Sequence, residues 1–113
     1  NDNFLTFLEN RLQQLPDGNY TYCFSNRVST EYVMKYWDLK FEQYYQKLQC
    51  PVLFLPSEEE WADEKIRSTM HTFAGLLDEY EIERIDNSIH AYVWIVLPMA
   101  AGEAAKRFIS KHV

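Results

Sequence analysis

At 113 residues the chain has the length of one domain with a modest core. Its formal charge of -6 gathers in clusters such as Glu58-Glu59-Glu60 and Asp78-Glu79-Glu81-Glu83, with no basic stripe to neutralise phosphates, so nucleic acid is not an expected partner. An apolar share of 47% with eight Tyr, seven Phe and three Trp argues against disorder; no apolar stretch reaches bilayer length and no signal-peptide profile opens the chain, so the expectation is a soluble, cytoplasmic, non-membrane protein.

Asp2 or Asn3 can cap a first helix in which Phe4, Leu5, Leu8, Leu12 and Leu15 recur at helical spacing until Pro16-Asp17-Gly18 stops it. From Asn19 to Phe24, aromatic residues alternate with Thr21 and Cys23, which fits either a short strand or an aromatic loop. Ser29 or Thr30 then opens a long helix to about Leu48, whose Val33, Tyr36, Trp37, Phe41, Tyr44, Tyr45 and Leu48 form a broad aromatic face. That face reads as core in the first instance and as the lining of an apolar substrate channel in the second.

Cys50-Pro51 breaks the helix, and the charge-free run Val52-Leu53-Phe54-Leu55 predicts a strand buried on both sides in a parallel sheet. An acidic stretch follows, then a helix from about Asp63 to Leu77 with Ile66, Met70, Phe73 and Leu77 on one stripe, then a strand from Glu79 to Ile85. Strand, helix, strand is the pattern of a crossover unit. Propensity makes Ala91 to Leu97 a strand. Pro98 opens a last helix with Ala101, Ala105, Phe108 and Ile109 inward and Lys106, Arg107 and Lys111 near its C-terminal end, leaving His112 at a frayed terminus. Cys23 and Cys50 match no metal or redox spacing and read as buried, reduced residues; with no carboxylate or cysteine at ligand spacing around His71, neither a metal nor another cofactor is expected.

The stretch from Gln49 to Val113 resembles the end of an α/β-hydrolase. In that family a strand of the type Pro51-Val52-Leu53-Phe54-Leu55 runs into a loop bearing the acidic member of a catalytic triad, here Glu60, with Glu58 or Glu59 as alternatives if the register slips. About thirty positions later the family places its histidine in a loop after the next strand, matched here by His90 in Asn87-Ser88-Ile89-His90-Ala91. The order acid then histidine, each beyond a strand, is more specific than either residue alone. The resemblance implies an α/β fold with a partial hydrolase-like parallel sheet and flanking helices over residues 49–113, preceded by cap-like helices over residues 1–48. It also implies that Ala91 to Leu97 is a loop leading into a helix.

The family's acid is more often Asp, and its usual Gly after the acid strand is replaced by Pro56-Ser57. None of the six serines lies in a Gly-x-Ser-x-Gly elbow, so no acyl-enzyme can form on these residues alone. The expectation is the C-terminal part of a serine-type ester or acyl hydrolase, inactive by itself, with His90 as base and Glu60 orienting it. From the residues alone, His90 would be a structural or surface residue, and Glu60 either a solvated loop residue or part of a charged first helical turn. The competing expectation is a non-catalytic α/β module that binds itself or another protein, with homodimerisation one solution, since a partial sheet leaves a bare edge and the apolar run Ala91 to Leu97 would need covering. Its partner is then a second copy, or the missing N-terminal part of the hydrolase.

Overall fold

A computed structural model describes residues 2–90 and 92–112. It is a mixed α/β chain that divides into two compact units, Asn1–Lys40 and Phe41–Val113.

In the first unit, helix α1 (Asp2–Glu9) leads into an antiparallel hairpin of β1 (Leu12–Gln14) and β2 (Tyr20–Tyr22), followed by helix α2 (Asn26–Trp37). The expected helix over Phe4 to Leu15 therefore ends early, and Leu12 becomes a strand residue. Turn chemistry decides this. Gly18 takes a φ of 86° with open space around its Cα, a conformation that suits Gly. The Asp17 carboxylate accepts the Asn19 N–H at 3.0 Å, which holds its carboxyl below the ordinary value. The Leu15 N–H donates to the Asn19 carbonyl at 2.7 Å, closing the loop on a strand pair rather than on a helix end. Helix α2 begins earlier than expected because the Ser25 side chain accepts the Val28 N–H at 3.3 Å and serves as its N-cap. It also stops at Trp37, where the Asp38 and Leu39 N–H groups turn back to Lys35 and Tyr36. Among the described residues of this unit none is buried. The expectation of buried cysteines fails in both units: Cys23 and Cys50 are free thiols and exposed.

The second unit begins with the short helix α3 (Phe41–Tyr45), so the single long helix expected to Leu48 is two helices. Tyr45 explains the separation: its ring stacks on Phe54 at 6.1 Å and tilts against Phe73 at 5.0 Å. Strand β3 (Val52–Phe54) pairs in parallel with β4 (Tyr80–Ile82), with Leu53 opposite Glu81. Helices α4 (Glu58–Ala62) and α5 (Glu64–Ala74) make the crossover, and α6 (Val93–Val96) and α7 (Pro98–His112) complete the chain. The alternation of a strand divides β3 between two layers. Phe54 faces Tyr45, which in turn meets Phe73 of α5, while Leu55, just beyond the strand, packs with Leu97 against the core of Ile85, Val93 and Ala104.

Two expectations change here. Val52 to Leu55 are half-buried rather than fully buried, because among the described residues β3 has a strand on one side only. Val93 to Val96 form a helix, not a strand: the Val96 N–H reaches the Tyr92 carbonyl at 2.8 Å and that of Leu97 reaches Val93 at 3.0 Å. Val93 is 4% exposed, so the apolar stretch is anchored in the core. Strand propensity is realised only where a neighbour offers a ladder. Ala91 lies outside the described residues.

Helix α7 is fastened to β4 by charge. Carboxylates at every second strand residue share one face and repeat at roughly 6.6 Å, while residues four apart on a helix repeat at roughly 6 Å. The spacings match, and Arg107 pairs with Glu83, Lys111 with Glu81 at 2.7 Å, and His112 with Glu79 at 3.2 Å. His112 is consequently helical and largely covered rather than frayed. Ala101 and Ala104 are the buried residues of this helix, whereas Ile109, expected inward, is 55% exposed.

The hydrogen bond from Lys111, together with the charges of Lys111 and His112, holds the Glu81 carboxyl below its ordinary value of 4.5. A carboxyl depressed in the folded state stabilises it fully above that ordinary value and ceases to as pH falls through the lower folded value. Urea unfolding midpoints measured through this acid range should therefore fall less steeply for Glu81→Gln than for the unsubstituted chain.

Candidate functional site

The parallel ladder brings two loops together. Beyond β3 and β4 the pairing continues as an isolated bridge between Ser57 and Ile85, with the Ile85 N–H donating to the Pro56 carbonyl at 3.0 Å. The chain then starts α4 on one side and enters the segment 86–90 on the other.

Ser57 is fully buried and caps α4. Its hydroxyl accepts the Glu60 N–H at 3.0 Å, and the Glu60 carboxylate returns to accept the Ser57 N–H at 2.9 Å. This is a reciprocal capping box, which satisfies two amides that a helix start leaves without partners. The Glu58-Glu59-Glu60 run is thus the charged first turn of a helix, where the helix dipole favours acids, and not a solvated loop.

Each of these glutamates has a separate task. Glu58 accepts the backbone N–H of Asn87 at 2.7 Å, and Glu59 accepts that of His90 at 2.8 Å. Glu60 uses Oε2 for the cap and places Oε1 3.1 Å from the His90 Nδ1. Of the three carboxylates considered as partners for the histidine, Glu60 is the one paired with its ring. Glu58 and Glu59 hold the backbone on which that ring is mounted. Ser88, 4% exposed, ties the same loop down: its hydroxyl accepts the Glu58 N–H at 3.1 Å and donates to the Ile85 carbonyl. Asn87 takes the left-handed conformation, φ 56°, a region that asparagine tolerates better than most residues, and this turns the chain towards α4.

The Glu60 side chain is 17% exposed and that of His90 is 65% exposed. The carboxylate is therefore screened and fixed by the cap, whereas the imidazole reaches into solvent. Glu59, Glu60, Asp63, Ile66 and His90 line a depression of about 140 Å³, smaller than the roughly 300–1,000 Å³ of sites that enclose a small molecule. A substrate held there needs further walls.

Ser57 and Ser88 are absent from the sequence-derived site, although the Ser57-x-x-Glu60 spacing is a capping-box signature. The link from Ser88 to Glu58 has no such signal, since the two residues lie 30 positions apart. His71 lies edge-on to Trp61 at 5.8 Å. The aromatic set assigned to one channel is divided between the units, with Tyr36 and Trp37 in the first and Phe41, Tyr44 and Tyr45 in the second. Among the described residues no cluster of His, Cys, Asp and Glu is arranged to hold a metal ion, and no helix is long and apolar enough to cross a membrane. Comparison of the chain with family models, curated proteins and solved structures returned no match.

The Ser88 hydroxyl serves a part-buried donor, the Glu58 N–H, and a buried acceptor, the Ile85 carbonyl, at once. Ser88→Ala should destabilise the second unit by about 1–3 kcal/mol, measured by urea denaturation. The same change should raise amide exchange at Asn87 and His90.

Proposed function

We propose that this chain carries the acid and the general base of a serine-type acyl hydrolase, with the nucleophile elbow and oxyanion hole on sequence outside these 113 residues. The observation that carries the reading is the Glu60–His90 pair. The carboxylate faces Nδ1 at 3.1 Å, as the orienting acid of a triad does, leaving Nε2 to take a proton from a nucleophile. The carboxylate is itself fixed, as such a role needs, because its other oxygen accepts the Ser57 amide. The backbone of His90 is held independently by Glu59.

In this reading a serine hydroxyl attacks the carbonyl of an ester or related small acyl substrate while His90 Nε2 removes its proton. Glu60 stabilises the imidazolium, which then protonates the leaving alcohol. Water repeats the sequence to release the acid. The shallow depression at the pair is consistent with substrate walls that come from the nucleophile-bearing part.

A second reading, a non-catalytic α/β module, is favoured by a different observation: among the described residues β3 is paired on one edge only. Here the glutamates serve as a clamp on the segment 87–90.

The test uses the protein expressed from its full reading frame and a fluorophosphonate probe, which labels activated serines. Labelling and ester hydrolysis are expected in that protein, with a loss of about 10^6-fold in turnover for His90→Ala and about 10^4-fold for Glu60→Gln. Labelling that survives His90→Ala, or a reading frame with no reactive serine, would remove the triad reading and leave the clamp.

A further inference from the structure

Hydrogen bonding along β3 alternates. The Val52 N–H donates to the Glu79 carbonyl, and the Phe54 and Pro56 carbonyls accept from Glu83 and Ile85, so residues 52, 54 and 56 turn their backbone groups towards β4. In a parallel ladder the intervening residues turn theirs the other way. These are Leu53 and Leu55, whose N–H and C=O groups make no hydrogen bond among the described residues. Both are half-buried, a position in which an unsatisfied amide is costly. The other strand and its flanks are charged: Glu79, Glu81 and Glu83 pair with His112, Lys111 and Arg107 of α7, and Arg84 pairs with Asp86. β3 carries no charge.

We propose that the outer edge of β3 is a dimer seam, occupied by β3 of a second copy running antiparallel about a two-fold axis at Phe54. The inference rests on the second, non-catalytic reading and not on the triad. In this register Leu53 lies opposite Leu55 of the second copy and forms a hydrogen-bonded pair with it, and the converse pair follows by symmetry. Each free N–H then meets a free C=O, and none is left over.

Neighbouring registers fail for identifiable reasons. A slip one way puts Pro51, which has no N–H, opposite Leu55. A slip the other way puts Ser57 opposite Leu53, and the Ser57 N–H is already committed to Glu60. Centring on Phe54 also brings the two Phe54 side chains together as a close, non-hydrogen-bonded cross-strand pair, the arrangement in which aromatic residues gain most. They extend the cluster that Tyr45 and Phe73 form with Phe54 in each copy. Although each chain is acidic, no carboxylate lies on the seam strand, so like charges are not forced together there.

The experiment is sedimentation velocity of the 113-residue chain over a range of concentrations, combined with residue-resolved amide exchange. Expected are a species of twice the chain mass and a protection of the Leu53 and Leu55 amides that rises with its population, while Val52 and Phe54 are protected throughout. Leu53→Pro, which deletes an outward N–H and no bond to β4, should sediment as a monomer with an unchanged circular dichroism spectrum. If that variant fails to fold, the exchange pattern of the unsubstituted chain decides. A monomer at all concentrations overturns the proposal, whether or not the two amides are protected. A dimer in which both amides exchange freely overturns it too, as does a folded Leu53→Pro variant that remains dimeric.

Discussion

The parallel pairing of Val52–Phe54 with Tyr80–Ile82 is the constraint on which the second unit depends. It brings together two strand ends that lie far apart in sequence, and the Ser57–Ile85 bridge extends the contact to the point where both chains leave the sheet. A helix start and a loop carrying a histidine are then adjacent as a geometric consequence. Because parallel strands need a crossover of a dozen residues or more, the ladder also dictates that α4 and α5 lie between the strands.

On that frame the three glutamates act through position rather than as a charge cloud. A helix start exposes unpartnered amides, and its dipole favours anions. Here the carboxylates also accept amides from the facing loop: Glu58 from Asn87 and Glu59 from His90. Glu60 closes the cap and meets the imidazole with the same carboxyl group. Glu60 is thus structurally required and chemically placed at once, and both the triad reading and the clamp reading grow from one set of distances.

The sheet is incomplete in a specific way. Phe54 has aromatic cover on one face, and Leu55, just past the strand, joins the core on the other, so β3 has the layers of an interior strand with the neighbours of an edge strand. Parallel sheets occur with both faces covered and with several strands. The unsatisfied groups of Leu53 and Leu55 are the local expression of that mismatch, and they define what can fill it: an extended backbone with no charge at the junction.

Some elements were legible in the residues themselves. The charge-free strand before Pro56 and the helix opened by Pro98 are present where composition and proline placed them, because these signals are local, and the strand expected from Glu79 to Ile85 is present over Tyr80–Ile82 with an isolated bridge at Ile85. Glu60 and His90 were singled out by resemblance and order, not by any physical feature of either residue. The helix through Leu15 and the continuous helix to Leu48 are overturned, and over Tyr92 to Leu97, where propensity favours a strand and the resemblance a loop leading into a helix, Val93–Val96 are helical. In each case a nonlocal or turn-level interaction outweighed propensity: the Gly18 hairpin, the docking of Tyr45 on Phe54 and Phe73, and the burial of Val93 beside Ile85 and Ala104. The sequence by itself determined which segments are apolar, where chain direction must change and which acid and histidine follow strands. Only the tertiary structure decided that Glu60 rather than its neighbours meets the ring, that Ser88 locks the loop and that the Leu53 edge has no backbone partner among the described residues. Those outcomes depend on which strand ends are brought side by side, and a hydrogen bond across thirty positions leaves no periodicity in the chain that makes it.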